Sequence, residues 1–227
     1  MAEDNVPKHI AVILDGNRRY AKRLGIPQFK GHEKGFAKIK EVLEWSMELG
    51  IKEITLYCFS TENFKRDKKE VDYLFNLFRK KIGDFKKDKL IHDNKVKIYI
   101  AGRLSMFPED MQKQMNEIME MTQDYSNYRL NLALAYGGRG EIVDAVKKLI
   151  VKGVEVNEDN IKDNLYLSDD VDLMIRPGGE HRLSNFLLWQ SSYAELYFSD
   201  KLWPEFSKEE LIKAVEWFKE RKRRYGE

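Results

Sequence analysis

Short apolar runs alternate with longer amphipathic stretches along this chain, at the spacing of strands and helices in turn. His9–Leu14, Glu53–Phe59, Val96–Ala101, Arg129–Tyr136 and Val171–Ile175 are expected as strands, with a sixth near Leu196–Phe198. Between the first two, Phe36, Ile39, Leu43 and Met47 recur on one helical face. A second helix is expected from Glu70 to about Phe85, with Val71, Leu74, Phe75, Phe78 and Ile82 inward. Met111, Met115, Ile118 and Met119 mark a third, and Ile142, Val143, Val146, Leu149 and Ile150 a fourth. The last is expected from Lys208 to Arg224. This pattern predicts one α/β domain over residues 1–227, a mostly parallel central sheet of about six strands flanked by helices. Ligands of such folds bind beyond the carboxyl ends of the strands. The loops after Leu14, Phe59, Tyr136 and Ile175 all belong at that end.

Composition narrows the class. An apolar fraction of 42% and an aromatic fraction of 12% describe a folded globule. Charged residues make up 34%, yet the net charge is only +2, which argues against a nucleic-acid partner. Cys58 is the only cysteine and sits in an apolar strand, so neither an internal disulfide nor a thiolate cluster can form. No apolar run approaches the roughly 18 residues of a membrane span, and no signal peptide is expected before the first strand. A cytoplasmic setting follows as the expectation.

The loops carry the chemistry. Asp15-Gly16-Asn17-Arg18-Arg19-Tyr20 leads into a helix that holds Lys22 and Arg23. Gly16 lets backbone approach a ligand, the helix start favours an anion, and Arg19 can clamp it. Asp15 suits an anion site only with a cation between, and magnesium (Mg2+) needs just one or two carboxylates beside phosphate oxygens. The plainer alternative is an aspartate that caps a helix, with arginines on a solvated face. Arg176 and Arg182, six residues apart, flank a Gly-Gly turn, followed by Ser184 and Asn185, which could open a helix. Guanidinium forks match diphosphate oxygens. Ser60, Thr61, Asn63, Lys65 and Arg66 give the loop after Phe59 donors for an oxyanion, or simply cap the next helix. Asp169, Asp170 and Asp172 precede a strand and so belong at the wrong end, as solvated charges. The four histidines lack metal-ligand spacing; His32 and His181 are expected as polar site residues. The Met and Phe faces fit plain core, or the wall of an apolar tunnel.

Taken in order, the motifs resemble the cis-prenyltransferase family over about His9 to Gly226. They are His9 through Asn17, Gly31-His32, Tyr57 through Asn63, Tyr136-Gly137-Gly138-Arg139, Arg176 through Gln190, and Tyr193 through Phe198. The resemblance implies repeated, cis-specific addition of isopentenyl diphosphate to an allylic diphosphate starter of C10–C20, along an apolar product tunnel. It implies that Asp15 binds Mg2+ and that Asp15, Asn17 and Asn63 are catalytic. Gly16, Asn17, Arg18, Arg19, Tyr20, Arg23, His32, Phe64 and Arg66 would meet the allylic substrate. Ser60, Arg66, Arg176, Arg182 and Ser184 would hold isopentenyl diphosphate, with Arg224 and Gly226 reaching in from a second copy. Glu70 matches an organising position, and Glu195 a carboxylate near the metal and the dimer contact. A homodimer is therefore expected, with transient association at the inner face of the cell membrane for product release.

Several positions depart from the family pattern. Tyr20 and Phe64 stand where tryptophan is common, Gln28 where arginine is, Ala135 where asparagine is, and Pro177 where a hydroxyl residue is. Two other readings compete. An auxiliary non-catalytic subunit of a heteromeric prenyltransferase usually loses the first phosphate loop, and here Asp15, Asn17 and Arg19 are intact. A phosphohydrolase with Asp15 as nucleophile wants a second acid two residues on, and position 17 is asparagine.

Overall fold

Six strands form one wholly parallel sheet in the computed structural model, which describes residues 6–221. They are β1 (His9–Ile13), β2 (Glu53–Ser60), β3 (Val96–Ala101), β4 (Tyr128–Tyr136), β5 (Leu173–Pro177) and β6 (Glu195–Ser199), in the order β3-β4-β2-β1-β5-β6. Strands buried on both faces need no polar alternation, and every residue of β1 and β5 is buried. The apolar runs that predicted the strands are therefore continuous in the centre of the sheet. The fifth strand starts later than Val171 and runs on through Arg176, which places that guanidinium inside the sheet's rim.

One face of the sheet is covered by α2 (Gln28–Glu48), α3 (Lys68–Phe85), α5 (Glu109–Met121) and α8 (Lys208–Lys219). Their inward residues include Ile39, Leu43, Leu74, Phe78, Met111, Met115 and Leu211, against Ile10, Val12, Ile54, Leu56 and Ile175. The opposite face, with the smaller Ala11, Ala101 and Ala133, packs on Phe186, Leu187, Leu167 and Val171. Met111 and Met115 are fully buried core residues. Shorter helices are α1 (Asn17–Arg23), α4 (Lys89–Asp93) and α7 (Glu158–Asn164).

The helix α6 (Gly138–Lys152) turns a different face inward from the one its valines and isoleucines predict. Gly138, Glu141, Ala145 and Leu149 are buried, while Val143 and Ile150 are exposed, the latter by 66%. The reason is a buried carboxylate. Glu141 accepts from the Tyr136 hydroxyl, from Gln190 Nε2 at 3.1 Å and from the amides of Tyr166 at 2.9 Å and Leu167 at 3.2 Å. Burial pushes its pKa up and these donors pull it back. A polar residue thus occupies the helix's inner stripe, and an apolar count misreads the face.

Chain order reverses between β1 and β5, because the connections leaving them run to opposite sides of the sheet. The crevice at such a point opens beyond the strand ends. The acidic trio lies at the other end, as expected, but is bonded and not merely solvated. Asp172 accepts from the amides of Lys8 at 2.8 Å and His9 at 3.1 Å, Asp169 pairs with Arg129 and Asp170 with Lys162.

Candidate active site

A cleft of about 490 Å3 occupies the β1/β5 crevice. Ile13 and Leu14 lead out of β1 to Asp15, and Gly16 turns the chain at φ 109° into α1. Asn17, Arg18 and Arg19 follow on the first turn of that helix, and all three line the cleft. The α1 helix can lie this deep because α2 presents glycine where the two meet. A Cβ on Gly31 would collide with the Asn17 carbonyl, and one on Gly35 with the Asn17 side chain. Asn17 Oδ1 is buried there without a hydrogen-bond partner.

Asp15 is held between two arginines. Its Oδ1 lies 3.1 Å from Arg19 Nη2 and its Oδ2 accepts from Arg176 Nη2 at 3.0 Å. Arg176 is only 4% exposed and also donates to Ser184 Oγ at 2.8 Å and to the Arg182 carbonyl. Arg19 Nη1 donates to the Gly178 carbonyl at 2.6 Å, and Gly178, at φ 101°, leaves no Cβ to displace that guanidinium. Arg182 is mostly exposed and pairs with Glu180 at the cleft rim.

The wall opposite comes from β2 and the loop after it. Ser60 Oγ accepts the Asn63 amide while Asn63 Oδ1 accepts the Ser60 amide at 3.0 Å, a reciprocal cap that fixes the loop. Ser60 and Asn63 both line the cleft. Glu70 joins two cleft residues: His32 Nε2 and Arg66 Nη1 each donate to Glu70 Oε1 at 3.2 Å. Burial lowers the His32 pKa, against the raising effect of Glu70, so the ring is neutral at physiological pH. Burial likewise lowers the Arg66 pKa without discharging it.

Most of the residues expected to meet a ligand therefore converge: Asp15, Gly16, Asn17, Arg18, Arg19, His32, Ser60, Asn63, Arg66, Arg176, Arg182 and Ser184. Others do not. Tyr20 and Arg23 share the far side of α1, where Arg23 pairs with Glu205. Phe64 turns into a ring cluster with Phe59, Phe75 and Phe107, at centroid distances of 5.0, 6.0 and 5.6 Å. Glu195 opens β6 opposite Leu173, at the amino end of the sheet, so this chain does not bring it to Asp15. Arg224 and Gly226 lie outside the described residues.

The segment after Gly179 forms turns, not a helix, with positive φ at Ser184, Asn185 and Leu187. Asn185, expected only as a helix opener, ties this segment down. Its carbonyl accepts from Gly138 N at 2.7 Å, its Oδ1 from Arg139 N at 2.9 Å, and its Nδ2 donates to Glu62 at 3.2 Å. The Gly137-Gly138 loop after β4 therefore serves the Arg182–Ser184 segment and does not itself line the cleft. Asparagine is among the few residue types that readily take the positive φ, 65°, found at this position.

Behind the charged residues the cleft becomes apolar. Phe36 and Cys58 line both the cleft and a narrow apolar slot of about 20 Å3, whose other walls include Ile39, Phe78, Ile82, Phe85 and Leu134. That volume holds about one water and no prenyl chain. Burial pushes the Cys58 thiol up to about 12, so it acts as apolar lining.

The donor set fits magnesium held partly by substrate. No group of three or more His, Cys, Asp or Glu side chains gathers among the described residues, so the chain offers no cage of its own. One accessible carboxylate among arginines is what magnesium requires when phosphate oxygens complete its shell.

The chain is similar to known proteins along nearly its whole length. Residues 13–226 match the family model described as "Putative undecaprenyl diphosphate synthase". The chain is 46% identical over 229 residues to the tritrans,polycis-undecaprenyl-diphosphate synthase (geranylgeranyl-diphosphate specific) of Thermoplasma volcanium, across 97% of this chain and 89% of that protein. It is 44% identical over 228 residues to the isoprenyl transferase of Thermotoga maritima, across 97% of each. The crystal structure of lavandulyl diphosphate synthase from Lavandula x intermedia, in complex with dimethylallyl diphosphate, superposes with a TM-score of 0.93 at 33% identity. That match covers 99% of this chain and 100% of the other.

Proposed function

The chain belongs to the undecaprenyl diphosphate synthase family of prenyltransferases, and from that premise we propose how its cleft works. The protein is a cis-prenyltransferase that condenses isopentenyl diphosphate repeatedly onto an allylic diphosphate, releasing diphosphate and building a polyprenyl diphosphate. The observation that carries this reading is one cleft lined by five arginines and a single carboxylate, opening at its back onto apolar side chains. Two diphosphates need that much positive charge, and the chains they carry need that apolar continuation.

Arg18 and Arg19, with the backbone of Gly16 and Asn17, hold the diphosphate of the allylic starter. Arg176, Arg182 and Ser184 hold that of isopentenyl diphosphate. Arg19 and Arg176 are already aimed, because both rest on Asp15 in the free protein. Asp15 would hold magnesium, which when bound supplies positive charge to the departing diphosphate. Breaking the allylic carbon–oxygen bond leaves a carbocation-like fragment and an anion. Arginines fixed in advance stabilise the anion at little reorganisation cost. Leu14, Phe36, Cys58 and Leu74 surround the fragment with apolar surface and exclude water that would quench it. Attack by the double bond of isopentenyl diphosphate and loss of its proton complete each cycle. The chain then lengthens into the slot, which admits it only if α2 and α3 part.

The T. volcanium relative is named for geranylgeranyl diphosphate, and that C20 starter is our choice within the C10–C20 range. Glu195 meets a site only across a homodimer, and the exposed Val143, Ile150 and Val151 of α6 are apolar surface that a second copy would cover. No helix among the described residues is long and apolar enough to cross a membrane. Lipid contact would therefore be made at the surface. The direct test is release of inorganic diphosphate that requires both starter and isopentenyl diphosphate. Phosphate release from a simple monoester without isopentenyl diphosphate would favour the phosphohydrolase reading.

A further inference from the structure

Three of the loops at the carboxyl end of the sheet meet at Asn185, just outside the cleft. The loop after β2 contributes Thr61 and Glu62, the loop after β4 Gly137, Gly138 and Arg139, and the segment after β5 Asn185 itself. Asn185 Oδ1 accepts from the Arg139 amide at 2.9 Å, and Nδ2 reaches on to donate to Glu62 Oε1 at 3.2 Å. Gly137 lies between these partners. A Cβ there would stand 2.8 Å from Asn185 Nδ2 and 3.1 Å from Thr61 Oγ1, although the backbone, at φ −167°, is one that any residue adopts. The missing side chain at Gly137 is therefore a requirement of the Asn185 junction and not of the turn. Burial pushes the Glu62 carboxyl up, but surrounding donors, Asn185 among them, hold it below its ordinary value, so the acceptor is an anion.

The segment that Asn185 holds is strained. Ser184, Asn185 and Leu187 have φ of 51°, 65° and 43°, a left-handed conformation that persists in such residues only where the surroundings over-determine it. The neighbours of Asn185 are anchored on either side of it. Ser184 Oγ accepts from Arg176 at 2.8 Å, while Phe186 is fully buried and stacks on Tyr57 of β2 with ring centroids 4.4 Å apart. Glu62 belongs to the loop of Ser60 and Asn63, so the Asn185–Glu62 bond ties one wall of the cleft to the other. A diphosphate bound between Ser184 and Ser60 needs the spacing of those walls fixed.

Resting on the reading of the cleft as the site that takes isopentenyl diphosphate, we propose that Asn185 is a positioning residue for that substrate. Asn185 does not itself line the cleft. It sets Ser184 and Arg182 at a fixed distance from Ser60 and Asn63, and Gly137 keeps open the space through which it does so. Glu62 is exposed, and a bond to an exposed carboxylate adds little to stability. The consequence of the junction is the placement of donors and not a firmer fold.

The test is equilibrium binding, with magnesium, of isopentenyl diphosphate alone and of a C20 allylic diphosphate alone, beside thermal melts. Asn185→Gly keeps the positive φ accessible and removes both side-chain bonds. It is expected to bind isopentenyl diphosphate about tenfold more weakly, the share of one charge-assisted donor, with allylic affinity unchanged. Gly137→Ala is expected to reproduce that selective loss. Asn185→Asp keeps the acceptor for Arg139 but sets a second carboxylate against Glu62, and is expected to weaken binding likewise. Adding Glu62→Gln to it returns a donor to the contact, with the roles reversed, and is expected to restore binding, a recovery that general loss of fold would not give. Equal losses for both substrates, an affinity that merely follows Tm, or a double variant no better than Asn185→Asp would overturn the proposal. Wild-type protein that binds no isopentenyl diphosphate would overturn it together with the reading beneath it. Because each substrate is bound without the other, failure of chain elongation in a protein that shows the expected binding pattern would count against the reaction and not against Asn185.

Discussion

Arg176 Nη2 donates to Asp15 Oδ2 at 3.0 Å across the seam between β5 and β1, and this contact joins the halves of the cleft. Asp15 belongs to the loop that carries Arg18 and Arg19, while Arg176 anchors the turn that carries Arg182 and Ser184. A carboxylate between arginines keeps both guanidinium groups oriented while the site is empty of anion. Phosphate oxygens can then replace it as their partner.

Burial separates the two arginines of that turn. Arg182→Ala removes an exposed, charge-assisted donor, so the KM for isopentenyl diphosphate should rise, by an amount matching roughly 1.5–3 kcal/mol, with Tm unchanged. Arg176→Ala should lower Tm as well, since it strips partners from Asp15, Ser184 and the Arg182 carbonyl. Steady-state kinetics beside thermal melts check this. An Arg182 variant altered only toward the allylic starter would mean that the two diphosphate sites have been assigned the wrong way round.

His32 should impose an acid limit on stability. Its folded pKa lies below the ordinary 6.5 because burial disfavours the imidazolium. Above about pH 6.5 the ring is neutral in both folded and unfolded chains and adds no pH dependence. As pH falls from there toward the folded value, the unfolded chain takes up a proton that the folded one does not, and stability is lost. Melts across this range should show a steeper decline for the wild type than for His32→Gln. Parallel curves would remove His32 from the account.

The glycine pair on α2 separates packing from chemistry. Alanine is intrinsically better than glycine inside a helix by roughly 0.5–1 kcal/mol, so any loss reports a collision. Gly35→Ala should push the Asn17 side chain aside and lower kcat more than Tm. Gly31→Ala meets the Asn17 backbone, which cannot swing away, and should lower Tm by more than Gly35→Ala does. Two variants with wild-type kcat and Tm would show that α1 is free to shift.

The strands were legible because β1, β5 and the centre of β4 are buried on both faces, where an apolar run is unbroken. Loop chemistry was legible at Asp15, Arg19 and Arg176 for a related reason: charged residues directly after apolar strands have few structural uses. What hid were groups whose role depends on distant chain. Glu141 carries no signal in the apolar periodicity of α6, and its donors, Tyr136 and Gln190, come from other parts of the chain. Gly31 and Gly35 carry no periodic signal, only an absence of side chain that matters once α1 lies against them. Tyr20, Arg23 and Phe64 were placed by motif, and a turn of helix or a neighbouring ring cluster takes each out of the cleft. Glu195 shows the same limit, since strand register sets it at the amino end of β6.

The central claim is chain elongation at the Asp15 cleft. The protein would be incubated with magnesium, labelled isopentenyl diphosphate and, separately, C10, C15 and C20 allylic diphosphates, and the extracted products sized by chromatography and mass. The account predicts a ladder of polyprenyl diphosphates ending at one length, most efficient from the C20 starter. In Asp15→Ala it predicts a rate lower by several orders of magnitude, as befits loss of a metal ligand. No extension from any starter, by a folded protein that binds isopentenyl diphosphate, would contradict it and identify a non-catalytic subunit.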